Sequence, residues 1–101
     1  MRTFSKNEVI NYLALHLKNW TFEETAIKRD FTFKNFVEAF SFMTATALEA
    51  EKSDHHPDWS NSYNRVSITL TNHEAKGITQ LDFDLAKKID RIFSKYSLFV
   101  Q

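Results

Sequence analysis

Apolar positions along the chain fall into a series of short periodic runs. Val9, Ile10, Leu13, Leu17 and Trp20 step by three and four residues, the spacing of one helix face. Ser5-Lys6-Asn7-Glu8 precedes them as a capping box, with Ser5 as N-cap and Glu8 three residues on. The pattern predicts a helix over about residues 5 to 18, with Leu15 off the stripe. Two candidate strands follow, Trp20 to Glu23 and Ile27 to Phe31, with Glu24-Thr25 as the turn between them. The strongest helical period in the chain comes next: Phe33, Phe36, Val37, Phe40, Met43, Ala47 and Leu48. It predicts a long helix from Phe33 to about Ser53 with Thr32 as its cap. Pro57 disfavours helical geometry at His56, so this helix must end near the histidine pair. A short extended piece is expected near Trp59 to Tyr63. Val66, Ile68 and Leu70 then alternate with Ser67, Thr69 and Thr71, a strand with one buried face. Thr79 and Asp82 cap a third helix that carries Leu81, Leu85, Ile89, Ile92, Phe93 and Tyr96. Residues after about Lys95 are expected to fray.

The order α-β-β-α-β-β-α, with strands in pairs around a helix, implies an α+β fold: a small four-stranded antiparallel sheet with helices packed on one face. A length of 101 residues favours a single domain over 1–101. So short a chain buries a modest fraction of its surface, and its ten Phe, two Trp and three Tyr supply much of the apolar area. Some of these aromatics are also candidates for a subunit interface.

Thirteen basic and thirteen acidic residues cancel to a formal charge of +0, which gives no electrostatic case for nucleic acid or an anionic membrane. The absence of cysteine removes disulfide and thiolate chemistry. No apolar run suits a signal peptide or a membrane span, so a cytoplasmic protein is expected.

The chemistry-bearing residues concentrate between Glu51 and Asp82. Three of the four histidines, His55, His56 and His73, lie there with the single proline and the single glycine, Gly77. Imidazole gives or takes a proton near neutral pH, which general acid–base catalysis needs. His55 and His56 follow a helix end and His73 follows a strand end, and the two ends converge if their elements are packed neighbours. Taken alone, a His-His-Pro after a helix is a polar cap and a loop. His55 and His56 are adjacent and do not easily reach one ion, and no Cys or H-x-x-x-H spacing accompanies them, so no metal site is expected. One glycine cannot make a phosphate-cradling loop, and no Gly-x-Ser-x-Gly elbow occurs.

Glu51, three residues, His55-His56-Pro57, five residues, Tyr63, nine residues, His73, eight residues, Asp82: this spacing resembles the signature of the pterin-4a-carbinolamine dehydratase family. Tyr63-Asn64-Arg65-Val66, Gly77-Ile78-Thr79, and Phe33, Phe36 and Phe40 extend the likeness over roughly residues 20 to 93. Asn72 stands where animal members often have threonine, yet it can still offer its backbone to a ligand.

The resemblance implies a dehydratase that removes water from a 4a-hydroxytetrahydropterin to give the quinonoid dihydropterin, in recycling of the cofactor used by aromatic amino acid hydroxylases. It implies His55, His56 and His73 as the catalytic trio, without assigning acid and base, and no cofactor. Asp54, Glu51, Trp59, Thr71, Asn72 and Glu74 are the implied substrate-binding residues, partly through backbone groups. Tyr63 is expected in packing and Asp82 in capping its helix. A homodimer or homotetramer is implied as well. Some animal members also act as a dimerisation cofactor for a transcription factor, and a molybdopterin-related accessory role is a further alternative.

Overall fold

The computed structural model describes residues 1–96; the expected fraying after Lys95 falls largely on residues outside that range. Its elements are α1 (Lys6–His16), β1 (Thr21–Glu23), β2 (Ala26–Thr32), α2 (Phe36–Ser53), β3 (Asp58–Ser62), β4 (Arg65–Leu70) and α3 (Gln80–Ser94). The strands form one antiparallel sheet in the order β1-β2-β4-β3. The helices cover one face of it, so the expected α+β architecture is present.

Alternation along the strands sets the two faces of the sheet. Ile27 pairs with Leu70 and Phe31 with Val66, and all four are buried under the helices. Phe31 and Phe33 each meet Phe42 with ring centroids 4.9 Å apart, and Phe93 stands edge-on to both. Such tilted and edge-on pairs suit the ring quadrupoles. Arg29 shares the covered face because Asp90 of α3 meets its Nη1 at 2.6 Å. The same carboxylate oxygen accepts from Trp20 Nε1 at 2.9 Å, which fixes the chain between α1 and β1 to α3.

The capping box of α1 forms as the sequence predicts, with Ser5 Oγ accepting from Glu8 N–H. The helix stops at His16 rather than near residue 18, and Leu17 and Trp20 are buried beyond it. In the β1–β2 turn Glu24 takes a left-handed conformation at φ 56°.

Two expectations for α2 need correction. Thr32 ends β2 and does not cap the helix; Asn35 is the N-cap, accepting from Glu38 N–H at 2.9 Å. Phe33 precedes the helix as a buried anchor, exchanging hydrogen bonds with Asn64. The second correction concerns the buried face. Ala39, Phe42, Thr46 and Ala50 point to the sheet. The stripe that dominates the sequence is exposed: Phe36 by 47%, Phe40 by 55%, Leu48 by 62% and Val37 by 74%. Small residues on the inner face let the helix approach the sheet closely, while Phe42 fills the space before Phe31 and Phe33. Tyr63, expected in packing, is exposed in the β3–β4 turn at φ 51°.

Candidate active site

α2 ends where its sequence requires. Ser53 is its last helical residue, and Asp54 takes the left-handed C-cap position at φ 49° and ψ 41°. The His55 N–H returns to the Ala50 carbonyl at 3.1 Å. Pro57 then fixes an extended course into β3. β3 pairs with β4 in the register Asp58↔Thr69. That pairing lays the chain entering β3 beside the chain leaving β4, so the helix end and the strand end converge.

Residues 72–77 close on themselves. Asn72 N–H donates to the Gly77 carbonyl at 2.9 Å, the Asn72 carbonyl accepts from Lys76 N–H at 2.8 Å, and Asn72 Oδ1 accepts from Ala75 N–H at 2.9 Å. Lys76 provides the reversal at φ 61°. The backbone of Asn72 is therefore engaged within its own loop, while its side-chain Nδ2 donates to Met1 Sδ at 3.9 Å. Gly77 sits close to the N-terminal segment: a Cβ there would lie 3.3 Å from Thr3 Cγ2.

Between these elements lies a cavity of about 530 Å³. Asp54, His55 and His56 line it from the helix end, and Thr71, Asn72, His73 and Glu74 from the strand end. Met1, Ala75 and Leu81 complete its wall. All three signature histidines thus border one space.

Each imidazole meets a carboxylate through Nε2. His55 reaches Asp82 Oδ1 at 2.5 Å, His56 reaches Glu51 Oε1 at 2.9 Å, and His73 reaches Asp58 Oδ2 at 2.9 Å. A carboxylate only accepts, so each pairing places a proton on Nε2 and leaves Nδ1 as the ring nitrogen open to a ligand. The three pairs differ in surroundings. The His55–Asp82 pair is buried, with Asp82 at 0% and His55 at 8% exposure, whereas the other two lie at the surface. Asp82 also accepts from Thr79 N–H through Oδ2 at 2.9 Å, at the first turn of α3. Burial pushes the Asp82 carboxyl above its ordinary value, against the Thr79 and His55 hydrogen bonds that favour its ionised form.

Several sequence-predicted residues take other positions. Glu51 does not line the cavity; it holds His56 from behind and borders a groove between α2 and α3. Trp59, one of the implied substrate-binding residues, does not line the cavity; it is half-buried and packed against the core, because its register partner is Ile68 on the covered face of the sheet. The Thr71 hydroxyl is drawn away to the Thr25 carbonyl at 2.7 Å. Asp58 was not foreseen at all, and no motif of the sequence marks it. Among the described residues, no group of three or more His, Asp or Glu side chains is arranged to hold a metal ion.

The family model described as pterin 4 alpha carbinolamine dehydratase matches residues 2–92. The chain belongs to this family. Relatives with the provisional name pterin-4-alpha-carbinolamine dehydratase include one from Rhodospirillum rubrum, 59% identical over 73% of this chain and 79% of that protein. Another, from Mesorhizobium japonicum, is 52% identical over 88% of this chain and 92% of its own length. Among solved structures, a transcriptional coactivator/pterin dehydratase from Brucella melitensis is 42% identical, with a TM-score of 0.86 over 90% of this chain and 98% of that one. A pterin dehydratase-like RuBisCO assembly factor of the alpha-carboxysome is 19% identical at a TM-score of 0.60, a likeness of fold alone. No helix among the described residues of this dehydratase-family chain is long and apolar enough to cross a membrane.

Proposed function

We propose that the chain is a cytoplasmic 4a-hydroxytetrahydropterin dehydratase working by histidine acid–base catalysis. The observation that carries this reading is the convergence of His55, His56 and His73 on one cavity. The substrate is a carbinolamine, with a hydroxyl on C4a beside the N5–H. Dehydration breaks the C4a–O bond with a proton delivered to the departing hydroxyl, and N5 loses its proton as the C=N bond forms. One imidazolium and one neutral imidazole on either side of the ring system supply and accept those protons, and the net products are water and the quinonoid dihydropterin. Asp54 and Glu74, exposed carboxylates at the rim, accept from the N–H donors of the pterin ring. An aromatic amino acid hydroxylase is the source of such a substrate.

The test is to generate the 4a-hydroxypterin with a hydroxylase and follow its dehydration by absorbance. The protein is expected to exceed the spontaneous rate, and His55→Ala or His73→Ala to lower the rate by roughly 10²- to 10⁴-fold. A wild-type rate equal to the spontaneous one overturns the reading.

One observation favours a partner-binding role alongside catalysis. Phe36, Val37, Phe40 and Leu48 form an apolar face on α2 that is largely exposed among the described residues. A homodimer or homotetramer built on that face is the simplest way to cover it. The Brucella relative's description as a coactivator is in keeping with a face that also takes other proteins.

A further inference from the structure

Two of the three carboxylates that hold the cavity histidines belong to the sequence signature: Asp82 for His55 and Glu51 for His56. The third, Asp58, does not, and its geometry differs in a way that bears on His73. Asp58 is the first residue of β3, fixed on one side by Pro57 and on the other by its pairing with Thr69. Its backbone is therefore set by the sheet. His73 stands in the loop beyond β4, with its side chain 74% exposed. No packing fixes a ring so exposed, and such a side chain samples several rotamers unless a bond selects one. That bond is Nε2 to Asp58 Oδ2 at 2.9 Å. The Asn72–Gly77 pairing closes the loop upon itself, so the loop's own hydrogen bonds do not orient the ring toward the segment carrying His55 and His56. The Asp58 carboxylate bridges the two halves of the cavity.

We propose that Asp58 is a positioning residue. It holds the His73 ring by Nε2 so that Nδ1 is the nitrogen offered to the pterin, and it fixes the distance between His73 and the helix-end histidines. Its catalytic meaning rests on the dehydratase reading of the same site; the pairing itself does not. The carboxylate acts through His73 and touches no substrate.

The experiment is a double-mutant cycle on the full chain, with kcat and KM measured in the dehydration assay. Asp58→Ala is expected to lower kcat about two- to fivefold, the scale of an exposed charged pair, with KM changed by a smaller factor. Asp58→Glu, which keeps the charge, is expected to restore part of the loss. In the His73→Ala background, Asp58→Ala is expected to have no further effect, because the group it acts through is gone. An equal loss in both backgrounds, or unchanged kcat in the single variant, overturns the proposal. A second arm needs no activity. In the wild-type protein, nuclear Overhauser contacts from His73 Hε1 and Hδ2 to the Asp58 Hβ protons are expected, and their absence overturns the proposal. A wild-type protein no faster than the spontaneous reaction overturns the dehydratase reading, and the Overhauser contacts then decide the Asp58–His73 geometry by themselves.

Discussion

Asp82 joins a fold role to a site role, and two substitutions separate them. Its Oδ2 accepts from Thr79 N–H and its Oδ1 faces His55 Nε2, at a position with no exposure. Asp82→Ala strips the acceptor from two buried donors. Each such loss costs about 1–3 kcal/mol, so the sum is about 2–6 kcal/mol. Against a stability of about 5–15 kcal/mol for a small domain this is a large fraction. At roughly 4–8 °C per kcal/mol, thermal unfolding should fall by at least about 8 °C. Asp82→Asn behaves differently. A carboxamide oxygen still accepts from Thr79 N–H, and its NH₂ turns toward His55, which then must accept at Nε2 and carry its proton on Nδ1. The cap survives, with a loss of about 1 kcal/mol, while the ring presents the wrong nitrogen state to the cavity. The expected signature is near-normal melting with kcat lowered by about 10²-fold or more. pH gives an independent check. Burial raises the folded-state value of Asp82 above its ordinary 3.8, so the native protein binds the extra proton. The resulting stabilisation is full below 3.8 and is lost as pH rises through the folded value. The stability of wild type relative to Asp82→Asn should therefore decline with pH across that window. A fully active Asp82→Asn, or a pH-independent stability difference, refutes this reasoning.

Phe40→Asp should shift the solution mass toward the 11.9 kDa monomer by light scattering, with little change in the circular dichroism spectrum; a wild type already monomeric removes the self-association reading of α2. Asp54→Gly relieves a left-handed backbone and removes a carboxylate from the cavity, so stability should hold or rise by up to about 1 kcal/mol while pterin affinity falls in a binding titration. Asp90→Ala leaves Arg29 and Trp20 Nε1 without their shared acceptor and should cost about 2–3 kcal/mol in denaturant unfolding, with kcat unchanged, since this cluster lies away from the cavity.

The elements of the fold were legible because each is announced locally. The Ser5–Glu8 box, the Pro57 stop and the Val66 to Leu70 alternation act over a few residues, and all stand where the sequence places them. The inner face of α2 was not legible, for a physical reason. Its heptads satisfy the 3.6-residue period twice, once with large residues at Phe36, Phe40 and Leu48, and once with Ala39, Phe42, Thr46 and Ala50. A count of hydrophobic side chains favours the first set. Close approach to a twisted sheet favours the second, because backbone-to-sheet distance is set by the smallest residues at the contact. What pattern reading assigned to the core is the surface left over for association.

The carboxylates of the site divide along the same line. Glu51 and His56 are five residues apart at one helix end, so their pairing follows from the end of α2 alone. Asp58 and His73 are 15 residues apart, and they meet because β3 and β4 pair in one register; a slip of one residue would turn Asp58 to the other face. Asp82 and His55 are 27 apart and meet because α3 starts beside the end of α2. For Asp82 the sequence supplied half of the answer. The capping role is an i, i+3 interaction and is readable; the pairing with His55 depends on topology and is not. The two roles are physically linked, because the bond from Thr79 N–H immobilises one carboxylate oxygen and thereby aims the other. A helix cap at a buried helix start is a rigid mount for a second acceptor, and His55 is held at that mount.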